Sequence, residues 1–286
     1  MQHLATGFGL IEGPVWDPGR GLYFSDVIGG GVHLLDRADT VSLVVPKRRG
    51  IGGMALHDSG GLVVGGRDIA VVGLAGGLAD GTTHPLLSMD VIPGATGFND
   101  LTTDRAGRVY VGSLAFRVFA GDPPKPGHLH VIDLDGTMRT LSDGVMLTNG
   151  LGFSPDGRRL YHCDARAALV RLYDVNADGS VGSWRTFATL GPAGVPDGLK
   201  VASDGSVWVA DAHGGRVVVF NQDGTHRQDI AVPLPMVTSL CFGGDELRDL
   251  YIVTGSRGGP SENCGSLFRI RVDVAGLALP PARVKA

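Results

Sequence analysis

Apolar and polar residues alternate along most of the chain in short runs closed by turn dipeptides, as in "GRVYVGSL", "GSVWVAD" and "GGRVVVFNQDGT". Side chains two apart share one face of a strand, so each run reads as a strand with one buried face. No stretch sustains a period near 3.6 over three helical turns. The pattern predicts an all-β chain.

The runs recur as a larger unit. "EGPVWDPGRGLYFSD" from Glu12, "GGMALHDSGGLVVGG" from Gly52, "NDLTTDRAGRVYVGS" from Asn99, "NGLGFSPDGRRLYHCD" from Asn149, "PDGLKVASDGSVWVAD" from Pro196 and "TSLCFGGDELRDLYIVTGS" from Thr238 align as six copies of strand, turn and strand. Their spacing of about 40 to 50 residues is that of propeller blades. Within the copies, nine to eleven residues separate Pro14, Met54, Leu101, Leu151, Leu199 and Leu240 from Tyr23, Val63, Tyr110, Tyr161, Trp208 and Tyr251. Runs such as "ALVRLYDVNADG" and "GSLFRIRV" supply the outer strands of four-stranded blades. The expectation is a single domain, residues 1–286: a six-bladed β-propeller of antiparallel blades around a central channel. A strand around Leu4 to Leu10 should close the ring on the blade containing Leu250 and Phe268.

The innermost strand of each blade lines the channel, and the residues that begin these strands are Glu12, Gly52, Asn99, Asn149, Asp197 and Thr238. Equivalent positions on six blades converge on one spot, although Glu12 and Asp197 are 185 residues apart. Two carboxylates and two amide oxygens meeting at a channel mouth repel and stay poorly solvated unless a cation holds them, and hard divalent ions take such ligands. Gly52 and Thr238 leave space there for a substrate. Taken singly, Asn99, Asn149 and Asp197 also suit side-chain turns; Glu12, inside the apolar run "GLIEGPVW", does not. Asp104, Asp156 and Asp204 read as turn residues.

The pieces "EGPVWD", "FND", "NGLGFSPDGRRLY", "PDGLKVASDGSVWVA" and "TSLCFGGDELRDLYIVT", with the tail "VAGLALPPARV", give a chain that resembles the SMP-30/gluconolactonase/LRE-like family of six-bladed propellers over nearly its whole length. The resemblance implies one divalent cation held by Glu12, Asn149 and Asp197, with Asn99 contacting the substrate or a coordinated water, and hydrolysis of small cyclic esters. Ca²⁺, Zn²⁺, Mg²⁺, Mn²⁺ and Fe²⁺ all suit such oxygen ligands. In the expected mechanism Asp197 is also the catalytic base, and Asp100 of "FND" joins Asn99 at the substrate. Sugar-lactonase members carry arginine two residues before this asparagine, where the chain has Gly97, so a preference for apolar over sugar lactones is expected. The segment "SLAFRVFAGDPPKPG" is a candidate lid, with Phe116 and Phe119 apolar and Arg117 a replacement for the missing arginine; an edge strand is the competing reading. Three other functions share the site or the fold: hydrolysis of organophosphate esters, isomerisation of another small metabolite, and a binding propeller with a structural ion.

Composition narrows the partners. Glycine is abundant (46 residues) and charged residues make up only 19%, which suits short elements and tight turns. A net charge of -4 names no partner, and no basic stripe with interleaved aromatics suggests nucleic acid. The one basic run, Lys47-Arg48-Arg49, reads as a solvated loop. "MQHLATGFGLIEGP" has neither the charged nor the apolar region of a signal peptide, and no window is apolar enough to cross a membrane. These features predict a cytoplasmic protein, a monomer or weak homo-oligomer. Cys163, Cys241 and Cys264 are odd in number and widely spaced, hence buried thiols. His128 and His130 share one strand face away from the channel, His213 reads as a turn residue, and no G-x-S-x-G elbow is present.

Overall fold

The computed structural model describes residues 1–46, 48–74 and 81–285; Lys47 of the basic run lies outside them. These residues form six four-stranded antiparallel sheets arranged as the blades of a propeller. The innermost strands are Ile11–Asp17, Met54–Leu56, Gly97–Thr103, Thr148–Phe153, Pro196–Val201 and Val237–Gly243. The N-terminal strand Gln2–Phe8 pairs with Gly265–Arg271 and completes the sixth blade, which closes the ring as expected. Among the described residues no helix is long and apolar enough to cross a membrane.

The alternation in the sequence becomes packing between blades. Second strands such as Gly21–Asp26 and Val207–Asp211 are buried throughout, whereas the outermost strand His226–Ala231 is almost wholly exposed. Each apolar cluster joins two neighbouring blades: Tyr161, Cys163, Leu199 and Val209 between the fourth and fifth, for example, and Tyr110, Leu129, Leu151 and Phe153 between the third and fourth. All three cysteines are free and buried.

The second strands of three blades end in aspartates that fasten the connection entering the inner strand. Asp26 accepts the Gly9 and Leu10 amides, Asp211 accepts Val195, and Asp164 accepts Met146 and Leu147 (both 3.0 Å) while pairing with Arg171 at 2.7 Å. The Asp164–Arg171 pair is dry, with side-chain exposures of 0% and 3%. Asp164→Asn leaves Arg171 charged and unpaired in the interior. Chemical denaturation should show a loss of about 3–5 kcal/mol, and a loss under 1 kcal/mol would mean that water reaches the pair.

Between the strands Val109–Leu114 and Gly127–Ile132 the chain forms no strand, so residues 115–126 are a loop and not an edge strand. Of the basic run, Arg48 is not solvated: it pairs with Asp68 and its side chain is 20% exposed.

Candidate functional site

Five of the six inner strands carry a β-bulge at the same height. Their pairing shifts between Glu12 and Val15, Phe98 and Leu101, Thr148 and Leu151, Pro196 and Leu199, and Val237 and Ser239. A bulge leaves residues unpaired and re-aims their side chains. Glu12, Asn99, Asp100, Asn149, Asp197 and Thr238 lie in or beside these shifts, so they escape the strict alternation that would send them into the interblade core. The glycines that follow have a separate reason. A Cβ on Gly150 would collide with the Leu199 amide, and one on Gly198 with Ser239. Inner strands of adjacent blades meet there with no room for a side chain, and the polar ring is correspondingly tight.

Asn99 and Asn149 are joined directly: Asn99 Nδ2 donates to Asn149 Oδ1 and to the Thr148 carbonyl (2.7 Å). Behind them the buried His162 Nε2 lies 2.7 Å from Thr148 Oγ1, and its own burial pushes its pKa down to about 3. Asp197, Asn149 and Asp100 are less than a tenth exposed. Burial holds the Glu12 carboxyl well above the usual carboxylate range, helped by the Asp197 and Asp100 charges; the Gly13 N–H and Lys200 pull it back. Asp197 is raised by burial and then by Asp100. Asp100 is raised by burial, against Lys200 and the Leu101 amide it accepts at 2.9 Å. The first, third and fifth blades thus bring three mutually repelling carboxylates to the channel.

This donor set fits a hard divalent cation. Among the described residues no protein donor hydrogen-bonds the Asp197 carboxylate, and Asn149 Oδ1 keeps a second lone pair beside the one that Asn99 uses. No group of three His, Cys, Asp or Glu side chains able to hold an ion occurs among the described residues, so an ion held here by two carboxylates also draws on the amide oxygen of Asn149. Without a cation the charges are relieved by Lys200 and by protonation, the latter being the direction in which burial drives Glu12 and Asp197.

The two positions expected to leave space for a substrate do not. Asn99 Oδ1 fills the place a Gly52 side chain would take, and Thr238 is fully buried with its hydroxyl on the Ile11 carbonyl (2.6 Å). The loop 115–126 leaves the mouth at which Asn99 sits, because Gly97 pairs with Leu114. Phe116 is packed away at 3% exposure, Phe119 is exposed, and Arg117 is held by Asp122 through two bonds of 2.9 Å. Gly97 has φ +154°, and a Cβ there would lie 3.1 Å from the Gly66 carbonyl, so this backbone resists arginine.

Away from the channel, His130 is engaged by Ser113 (3.0 Å) and Thr140 (3.1 Å), with burial and then His128 pushing its pKa down to about 4. The His213 amide donates to Asp211 in a turn. Sequence reading missed Lys200, whose charge reaches Glu12 and Asp100 from the fifth inner strand; the signal was a lysine inside the buried run "PDGLKVA". It also missed His162, a polar residue in the apolar run "RRLYHCD".

Comparison with known proteins gives a consistent picture. The pentonolactonase XacC of Haloferax volcanii is 34% identical over 97% of this chain and 95% of its own length. The 6-deoxy-6-sulfogluconolactonase of Pseudomonas putida is 31% identical over 95% of this chain and 94% of its own. Among solved structures, a luciferin-regenerating enzyme superposes with a TM-score of 0.87 at 23% identity, covering 98% of this chain and 97% of that one, which speaks for the fold. The pattern of the SMP-30/gluconolactonase/LRE-like region matches residues 10–256. With that match running from the first inner strand to the end of the sixth blade's second, the chain belongs to the SMP-30/gluconolactonase/LRE-like family.

Proposed function

We propose that this protein hydrolyses lactones of sugar acids at the channel mouth, with one divalent cation held by Glu12, Asn149 and Asp197. The observation that carries the reading is the convergence of buried, repelling carboxylates with the Asn99–Asn149 pair on bulges of separate blades. A divalent cation bound there supplies Lewis-acid polarisation of the carbonyl and makes water more acidic.

The chain's own residues do the rest. Asp197 takes a proton from the attacking water as the new C–O bond forms. It returns that proton to the ring oxygen when the ester C–O bond breaks, releasing a hydroxy acid. Asn99 holds the Asn149 oxygen with one amide hydrogen and the Thr148 carbonyl with the other, and its own Oδ1, beside Gly52, remains an acceptor. Asp100, buried beside them, adds negative charge to the site. Phe116 supports the loop over the mouth, and Arg117 becomes available to the substrate only by leaving Asp122.

Sugar-acid lactones are favoured over apolar ones because two relatives more than 30% identical over at least 95% of this chain are both named for sugar lactones. The expected preference for apolar lactones rested on the arginine missing at position 97, and the backbone of Gly97 gives that absence a local cause. Chelator-treated protein should hydrolyse a pentono-1,4-lactone or gluconolactone once Ca²⁺, Mg²⁺, Mn²⁺, Zn²⁺ or Fe²⁺ is restored, and more slowly an alkyl lactone. Failure on every lactone with every metal sinks the proposal; faster turnover of the alkyl lactone sinks the substrate class. Gly97→Arg should lower the melting temperature without raising sugar-lactone turnover.

A further inference from the structure

The far end of the channel holds a second chamber, of about 360 Å³. Its walls are inner-strand residues two to four positions past the polar ring in every blade: Trp16, Met54, Thr102, Leu151, Lys200 and Phe242. At about 3.3 Å per residue, that places it roughly 7–13 Å down the channel. The C-terminal segment straps its mouth. Leu277 donates to the Val201 carbonyl (3.2 Å) on one side and Ala282 to Leu56 (2.7 Å) on the other, and the residues between them line the chamber.

This lining is mostly apolar, with Thr102, Thr103, Lys200 and Asp245 among its few polar side chains. Thr102 Oγ1 and Trp16 Nε1 are buried without a hydrogen-bond partner. Lys200 makes no hydrogen bond or ion pair among the described residues, although its charge is felt by Asp100, Glu12 and Cys241. The other charged lining residue, Asp245, is at the rim and already paired with Arg37 at 2.6 Å. A cation in an apolar wall calls for an anion with an apolar body. The volume lies at the small end of the range for ligand pockets.

We propose that this chamber binds one small amphiphilic carboxylate per chain. Lys200 takes its carboxylate, and Met54, Leu151 and Phe242 pack its hydrocarbon. The apolar walls disfavour polyhydroxy acids, so the site differs from the hydrolytic centre in what it takes, although Lys200 also acts on Glu12 and Asp100.

Calorimetry on the full-length protein tests this with sodium octanoate, octan-1-ol and sodium gluconate. Octanoate should saturate at one per chain and gluconate should not bind. Lys200→Met should weaken octanoate by about tenfold or more, the scale of a lost charge-assisted bond, while octan-1-ol changes less than about twofold. If Lys200→Met does not fold, Lys200→Gln reports the same loss, with its melting curve as the control. Absence of saturable octanoate binding to wild type, or unchanged octanoate affinity in the Lys200 variant, overturns the proposal.

Discussion

Asp197→Asn lowers lactone turnover by about a hundredfold or more, the scale of a positioned acid or base, while the protein still takes up its cation. The amide oxygen can coordinate, but it accepts no proton near neutral pH. Metal affinity falls with the lost charge; turnover stays low even when the site is saturated. Glu12→Gln makes the same chemical change at the other carboxylate of the proposed ligand set and gives the opposite pattern. Its rate follows metal occupancy and recovers in excess metal, because in the proposed site Glu12 holds the ion and moves no proton. Turnover measured across a metal titration, with bound metal determined in parallel, separates the two. Recovery of Asp197→Asn to near the wild-type rate at saturation would make Asp197 a ligand only and send the search for the base elsewhere.

Much of this was legible before any coordinates. Six copies of strand, turn and strand fixed the blade count because the turn residues recur in register with the apolar positions, and the sixth copy lacked an outer strand that the N-terminus supplied as Gln2–Phe8. The equivalence of Glu12, Asn149 and Asp197 was visible for the same reason. The bulges that aim them were not, since a bulge is a relation between two strands and leaves no mark in one. Nor was the role of Gly52: a glycine in a tight ring makes room for something, and that proved to be Asn99, which contacts it across 47 residues of sequence. Arg117 was assigned to the substrate from its loop alone, yet Asp122, five residues on, was the nearer claimant. Lys200 was passed over because a lysine in a strand is usually solvated, and only closure of the ring turned it into the channel.

Metal-free protein loses stability as pH rises, and added cation restores it. Burial, with the Asp197 and Asp100 charges beside Glu12 and the Asp100 charge beside Asp197, raises both carboxyls in the folded protein well above the usual range. In the unfolded chain they titrate near about 4. Between these values the folded protein keeps protons that the unfolded chain releases. The associated stability is fully present below the unfolded value and is lost as pH rises through the folded one. Chelated wild type should therefore melt at a lower temperature at about pH 8 than at about pH 5. Glu12→Gln carries no charge there and weakens the repulsion on Asp197, so it should flatten this slope and melt higher than chelated wild type at the upper pH. Cation in thousandfold excess over its Kd adds about 4 kcal/mol to wild type, with a larger effect at high pH because the ligands must be deprotonated to bind. Melting curves of both proteins at the two pH values, with chelator and with Ca²⁺ or Mn²⁺, give the answer. If chelated wild type and Glu12→Gln show the same pH slope, Glu12 is not part of a buried charge cluster. A cation that then leaves wild-type stability unchanged would remove the remaining reason to place an ion in the channel.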